Sequence, residues 1–208
     1  MCSALELDGL TPKPEDVQAA KAAFPDLTIH VLIRPRAGDF CYSEEELVQM
    51  EKDVEKALDA GADGIVIGCL TPEGDVDESA MERLIRAARR SPDSSLRISI
   101  TFHRAFDRCR RPFHALERII ALGCDRILTS GQERTAEEGA GLLRALRLQS
   151  KGRIGILPGG GVTPDNAARI LSITGCQEIH SSASVSRDGR KITSADKVTL
   201  ILQAINHG

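Results

Sequence analysis

A histidine, an arginine and a carboxylate follow one apolar run near the middle of the chain. Residues 99–102 are strand-like, and His103, Arg104 and Asp107 come directly after them. An imidazole can move a proton, and a guanidinium binds the oxygens of carboxylates and phosphates. His103 and Asp107 are therefore candidate catalytic groups, and Arg104 is a candidate anion ligand. The alternative is a salt bridge between Arg104 or Arg36 and Asp39 or Asp107 that only holds the loops.

Polar, charged or glycine residues also follow the other strand-like runs directly. Three successive glycines after residues 154–157 can bare backbone N–H groups to a phosphate, or can simply form a turn that needs positive φ. His180, at the end of the last run, is a better-placed candidate base than His103, or else a hydrogen-bonded packing residue. The full set of candidate anion ligands is Arg34, Arg36, Arg104, Ser130, Gly159, Gly160, Gly161 and Ser181.

The apolar runs begin near residues 29, 64, 97, 126, 153 and 177, and a segment with helical periodicity follows each of them. Repeated β-then-α units predict a parallel sheet with crossover helices. Functional side chains at the carboxyl ends of such strands are typical of a TIM-type β/α barrel. The predicted fold class is therefore α/β, with a parallel barrel. Strand alternation would let only one of His103 and Arg104 face the barrel axis.

The N-terminal part is short for such a barrel. Eight β/α units need about 240–250 residues, whereas six units already fill residues 29–208. The residues ahead of them hold one helix near residues 14–24 and a strand stub at Met1 and Cys2. We therefore expect a barrel that is incomplete at its N-terminus, with the first strand and first helix missing. Such a chain should form an open, C-shaped sheet of six or seven strands, prone to associate through its edges.

Composition limits the class of protein. With 208 residues and 41% hydrophobic residues, the chain is long enough for one well-packed domain, which we place over residues 1–208. A net charge of -3 gives no general attraction to nucleic acid or to an anionic membrane. The apolar runs are about 5–7 residues long, against about 20 for a membrane helix. These features predict a soluble, intracellular protein with neither nucleic acid nor membrane as a partner.

The six cysteines show no C-x-x-C pair and no disulfide framework, so reduced thiols are expected. Cys2, Cys41 and Cys69 fall at or just after the carboxyl ends of neighbouring predicted strands. Thiolates gathered there could hold Cu(I), which prefers soft ligands. The alternative is that they are small buried hydrophobic residues.

Four segments together resemble one known family. They are residues 34–40 with Tyr42 and Ser43, residues 102–107, residues 128–131 and residues 158–162. These motifs are similar to those of the CutC family of copper homeostasis proteins, and the resemblance runs from Cys2 to about residue 205. It implies an α/β barrel, a cytosolic protein that is also nuclear in animals, association into dimers or tetramers, and Cu(I) binding.

The resemblance also identifies one metal ligand. Of the two copper-linked cysteines proposed for the family, near the ends of its first two strands, the second matches Cys2 and the first has no counterpart. Ala37 stands where a glycine is usual. Two hypotheses follow: a copper homeostasis protein that binds Cu(I) through Cys2, or an enzyme that acts on a small phosphorylated or carboxylated compound at the mouth of the barrel.

Overall fold

The computed structural model describes residues 1–90, 97–187 and 190–207. Its strands are β1 (His30–Leu32), β2 (Gly64–Ile67), β3 (Ser99–Phe102), β4 (Arg126–Thr129), β5 (Gly155–Pro158), β6 (Ser184–Arg187) and β7 (Arg190–Thr193). Its α-helices are α1 (Pro14–Ala23), α2 (Glu44–Asp59), α3 (Glu78–Ala88), α4 (Pro112–Ala121), α5 (Ala140–Ser150), α6 (Ala167–Thr174) and α7 (Ala195–His207).

Strands β1 to β5 form one parallel sheet in the order β1-β2-β3-β4-β5. Each strand is followed by a helix. A strand order that never reverses is that of a β/α barrel wall, because doubly wound sheets reverse direction at a switch point. The predicted α/β class with a parallel barrel-type sheet is therefore confirmed. Within the described residues, no helix is long and apolar enough to cross a membrane.

The core lies between the sheet and the helices. On β2, Ile65 and Ile67 are fully buried against the helices, whereas Val66 on the opposite face is half-buried. Helix α2 turns a stripe of buried side chains towards the sheet, and its capping box is present, with Ser43 N–H donating to Glu46 Oε2 over 2.9 Å. The spacing of Ser43 and Glu46 in the sequence is itself that of a capping box.

Two glycines on the inner face of β2 and just beyond it make room for larger neighbours. A Cβ on Gly64 would lie 2.8 Å from the ring of His30, and a Cβ on Gly68 would lie 2.6 Å from the ring of His103. Carbon atoms do not approach so closely, so Gly68 admits only glycine unless the His103 ring moves. A Cβ on Gly64 would also lie 2.7 Å from the Ser99 backbone oxygen, which cannot turn aside as a ring can. The space above each glycine on the inner face is thus occupied by a histidine ring from a neighbouring strand.

The two edges of the sheet end differently. Beside β1, the Met1 carbonyl accepts from Leu32 N–H over 3.0 Å, and the Met1 amine donates to the His30 carbonyl. Beyond β5, Gly159 and His180 form a single parallel bridge. In the parts of the chain that the structure describes, β1 and β5 do not pair. The sheet therefore has five full strands, and the predicted strand near residue 177 amounts to one bridge.

An antiparallel hairpin of β6 and β7 was not predicted. Its β7 strand packs against a short 3-10 turn at Leu5–Leu7, so the hairpin contacts the N-terminal segment. The sequence does carry a signal for it, because Asp188 and Gly189 form a dipeptide that is typical of tight hairpin turns. The helix α7 follows the hairpin directly, so a strand-then-helix pattern hides the hairpin in the sequence.

Candidate functional site at the carboxyl ends of the strands

Asp107 is the centre of the hydrogen-bond network beyond β3 and β4. Its carboxylate accepts from Arg104 Nε over 2.8 Å, from Ser130 N–H over 3.0 Å and from Gln132 N–H over 3.3 Å. The Thr129 hydroxyl donates to it as well. The side chain is 9% exposed. A carboxylate that satisfies so many donors fixes the loop after β4, and its oxygens are already engaged.

Arg104 extends this network towards the glycine-rich loop. Its Nη2 donates to Ser130 Oγ over 3.0 Å, and its guanidinium carbon lies 3.5 Å from the place where a Cβ on Gly160 would stand. The side chain is 44% exposed. Arg104 therefore joins Asp107, Ser130 and Gly160, and it keeps a solvent-facing surface. We call these four residues, together with Gly161, the mouth.

The glycine loop leaves two backbone N–H groups without an acceptor among the described residues. Gly160 and Gly161 both have positive φ, 111° and 69°, which favours glycine. Their carbonyls accept from Ala136 N–H and from Asn166 Nδ2, respectively. Among the described residues, no acceptor pairs with the N–H of either glycine. Gly159 differs, because its N–H donates to the Thr129 carbonyl over 2.9 Å.

Two further predicted residues flank this loop. His180 is exposed, and its Cβ lies 3.2 Å from the place where a Cβ on Gly159 would stand. The Ser181 hydroxyl donates to the Val162 carbonyl over 2.9 Å and accepts from Ala183 N–H. The structure thus brings His180 next to the mouth, whereas the Ser181 hydroxyl is used to hold the chain after the bridge.

Arg36 lies apart from the mouth. Its Nε donates to Glu46 over 2.5 Å, and its Nη2 donates to Asp39 and to the Cys41 carbonyl. These contacts hold the pKa of both carboxyls below their usual range. Its guanidinium carbon is also 5.3 Å from the ring of Tyr42. The salt bridge between Arg36 and Asp39 that the sequence offered as an alternative to anion binding is therefore present.

Arg34 is buried, with 6% of its surface exposed. Its Nη1 donates to the Leu7 and Gly9 carbonyls over 3.1 and 3.2 Å, and its Nη2 donates to the Gly38 carbonyl over 3.1 Å. The terminal nitrogens are therefore occupied by backbone. Arg34 ties the N-terminal segment and the loop after β1 together.

His103 is also buried, and it lies over Gly68 at the end of β2. Its Nδ1 accepts from Ala105 N–H over 3.1 Å, which caps the 3-10 turn at Arg104–Arg108. Burial, and then the nearby Arg34 charge, lower the pKa of His103 to about 3. Arg104 begins that turn, so both residues lie at the carboxyl end of β3, His103 buried and Arg104 partly exposed.

The thiols are dispersed. Cys2 and Cys41 are half-buried, and the other four cysteines are buried. Within the part of the chain that the structure describes, no three His, Cys, Asp or Glu side chains are grouped so as to hold a metal ion. Cys2 lies beside β1, where its Sγ is 3.3 Å from the place where a Cβ on Gly9 would stand. We call Cys2, Gly9 and the neighbouring Leu32 the Cys2 edge.

Reasoning from sequence missed four residues that shape this region. Thr129 and Gln132 complete the donor set of Asp107, and Gly68 and Phe40 contact His103. The glycine had a recognisable signal, because it interrupts the apolar run just after β2. Thr129, Gln132 and Phe40 had no such signal, because their roles come from contacts between segments that are far apart in the sequence.

Comparison with known proteins places this geometry in a family. The model of the CutC family matches residues 1–185. A CutC family protein of Bacteroides thetaiotaomicron is 45% identical over 226 residues, which cover 99% of this chain and 88% of that protein. One from Histophilus somni is 44% identical and covers 90% of this chain and 74% of that protein.

Solved structures agree on the fold. The crystal structure of CutC from Streptococcus agalactiae, whose name assigns it to copper homeostasis, superposes with a TM-score of 0.80 at 31% identity. That match covers 86% of this chain and 85% of the other. The 3-hexulose-6-phosphate synthase of Salmonella typhimurium has a TM-score of 0.56 at 17% identity and covers 93% of this chain and 80% of that enzyme. The last likeness concerns the TIM-like barrel fold alone.

Proposed function

The chain belongs to the CutC family, and from that premise we propose that it serves copper homeostasis by binding Cu(I) through Cys2. The thiolate form of cysteine is the metal ligand, so a useful thiol must be reachable and able to lose its proton. Cu(I) prefers such soft ligands over oxygen donors. The proposal therefore depends on how the thiols of this chain differ.

The observation that carries the proposal is the position of Cys2 relative to the other thiols. Four of the other cysteines, Cys69, Cys109, Cys124 and Cys176, are buried, and burial raises their pKa, to about 12 for Cys109 and Cys124. Their thiols resist the deprotonation that metal binding requires. Cys2 is half-buried on the edge of the sheet, so a metal ion can approach it from solvent.

One thiolate does not complete the coordination of Cu(I), and no cluster of three ligands supplements it among the described residues. A second copy of the chain can provide the missing thiolate, because Cys2 is half-buried at the edge of the sheet, where another copy can approach it. We therefore propose a homo-oligomer, a dimer or a tetramer, with Cys2 of each copy at the metal. We place it in the cytoplasm and also the nucleus, where thiols stay reduced.

A Cu(I) titration against a competing chelator tests this proposal. The reduced protein should bind Cu(I), and Cys2→Ser should weaken binding by about 10-fold or more. Cys41→Ser is the matched control, since Cys41 is also half-buried, and it should leave the affinity unchanged. Equal affinity in the wild type and Cys2→Ser would remove Cys2 from the site, and no Cu(I) binding at all would refute the function.

A second function is favoured by the mouth. Among the described residues, the acidic partner of Arg104 is Asp107, which is already engaged, and the N–H groups of Gly160 and Gly161 have no acceptor. Such donors match a small phosphorylated or carboxylated compound. In this proposal the glycines and Arg104 hold the anion, and the exposed imidazole of His180 moves a proton. Copper carriage requires none of these groups.

Thermal unfolding in phosphate tests the anion site. Phosphate at about five times its Kd adds about 1 kcal/mol of stability, which raises Tm by about 2–4 °C in a chain of this size. Arg104→Gln should abolish the rise. Arg111→Gln is the control, because Arg111 is similarly exposed and pairs with Asp75 away from the mouth. If Tm does not respond to phosphate, sulfate or succinate, the mouth does not bind small anions.

A further inference from the structure

Two buried nitrogen atoms at the ends of β1 and β3 lack a hydrogen-bond partner. Among the described residues, neither Arg34 Nε nor His103 Nε2 has an acceptor, although both atoms are inaccessible to solvent. A buried polar group without a partner costs about 1–3 kcal/mol. Native structures leave few such groups, so each calls for a physical explanation.

Both orphan atoms are donors. His103 Nδ1 accepts from Ala105 N–H, and the pKa of His103 near 3 keeps the ring neutral at physiological pH. The single ring proton therefore lies on Nε2. Arg34 Nε always carries its proton, and its terminal nitrogens are engaged with the Leu7, Gly9 and Gly38 carbonyls. The partner that is missing must be an acceptor.

The two donors lie in one layer of the inner face. Leu32 pairs with Val66, so two residues further along Arg34 lies beside Gly68. Ile67 pairs with Phe102, so one residue further along Gly68 lies beside His103. Gly68 has no side chain, so the imidazole fills the space above it, 2.6 Å from the Cβ position. Arginine and histidine therefore approach each other across a glycine.

Phe40 covers this layer. Its ring centre is 5.1 Å from the Arg34 guanidinium carbon and 5.0 Å from the centre of the His103 ring. It is half-buried and belongs to the loop between β1 and α2. A ring on a loop can move aside without disturbing the sheet, and so can open this place to a ligand.

We propose that this layer is a binding site for the carboxylate of a small molecule, whose oxygens accept from Arg34 Nε and His103 Nε2 after the Phe40 ring has moved aside. Two donors and one positive charge call for an anionic oxygen acceptor, and the two oxygens of a carboxylate can accept from two donors at once. The inference rests on the second proposed function and narrows its class of substrate. The substrate would carry two anionic groups, a carboxylate bound by Arg34 and His103 and a second anionic group bound at the mouth.

The test is nitrogen NMR of the histidine rings during titration with acetate. The His103 Nε2 signal should shift, with saturation, and the His180 signal should not report the same event. His103→Asn keeps an oxygen that can cap Ala105 N–H but loses the distant donor, so it should fold and should lose the acetate response. His180→Asn, a control outside the layer, should retain that response at His103.

Three results would overturn the inference. The first is an unchanged His103 signal at saturating acetate. The second is a rise in Tm with acetate that is the same in His103→Asn as in wild type and that Arg104→Gln does not abolish. The third is a crystal structure in which one fixed water bridges Arg34 Nε to His103 Nε2 in the presence of acetate. If phosphate still raises Tm through Arg104 in any of these cases, the proposed anion function stands and only the carboxylate site fails.

Discussion

The Cys2 edge and the mouth offer opposite kinds of chemistry on one sheet. The edge carries a half-buried thiol beside β1, with a glycine and a leucine as neighbours. The mouth carries nitrogen donors held in place around the Asp107 carboxylate. A soft metal ion suits the first region, and a hard oxyanion suits the second.

This difference teaches that the two proposed functions do not compete for the same side chains. Removing the thiol takes away no donor from the mouth, and changing Arg104 takes away no ligand from the edge. The regions also differ in rigidity, because donors from four residues fix Asp107. Mutations should therefore separate the regions both in ligand binding and in stability.

The largest effect is expected for Asp107→Asn. The variant loses the negative charge and part of the acceptor capacity that satisfy Arg104, Thr129, Ser130 and Gln132. Unpaired buried donors should lower the free energy of unfolding by about 2–4 kcal/mol, measured by urea denaturation. Asp39→Asn is the control, since Asp39 is a well-exposed carboxylate. A loss no greater for Asp107→Asn than for this control would mean that the mouth is not rigid.

A smaller loss is expected for Gly68→Ala. The new Cβ would stand 2.6 Å from two atoms of the His103 ring, and displacing a packed ring costs about 1–3 kcal/mol. Gly141→Ala, where a Cβ meets nothing within 4 Å, lies in α5 and should be neutral or slightly stabilising. Equal unfolding free energies for the two variants would show that the layer of Arg34 and His103 has room to spare.

Acid sensitivity should come from the same layer. An unfolded imidazole titrates near 6.5, whereas the pKa of His103 in the fold is about 3. Between these values the unfolded chain holds a proton that the folded chain does not, so stability falls as the pH drops below 6.5. One such proton changes the unfolding free energy by up to about 1.4 kcal/mol per pH unit. Urea denaturation of wild type and His103→Asn at several pH values should show the steeper loss in wild type, and parallel pH profiles would contradict this.

The smallest effect on stability is expected for Cys2→Ser. The thiol is half-buried, and the substitution replaces one atom without changing the backbone, so the unfolding free energy should change by about 0.5 kcal/mol or less. Thermal unfolding measures this directly. A loss as large as that of Asp107→Asn would make Cys2 a core residue rather than a candidate ligand.

Local patterns predicted most of the fold. The capping box of Ser43 and Glu46, the proline that begins α4 and the glycine that ends α6 are readable from short segments. The parallel sheet followed from repeated β/α units. The strand near residue 177 was overestimated because an apolar run does not reveal how many partners its backbone has.

The candidate site was less predictable. Sequence reasoning grouped Arg34, Arg36 and Arg104 as equivalent anion ligands, yet their surroundings differ in the structure. Backbone carbonyls occupy the terminal nitrogens of Arg34, carboxylates and a carbonyl occupy Arg36, and only Arg104 faces the glycine loop. Which partner a guanidinium finds depends on strand register and loop path, and neither is encoded in the spacing of residues along the chain.

The most direct test of the account is the Cu(I) affinity of Cys2→Ser and Arg104→Gln, measured side by side with wild type by chelator competition. The account predicts that Cys2→Ser binds Cu(I) about 10-fold or more weakly, whereas Arg104→Gln binds it as tightly as wild type. The reverse pattern, or equal affinity in all three proteins, would contradict the assignment of copper to the Cys2 edge.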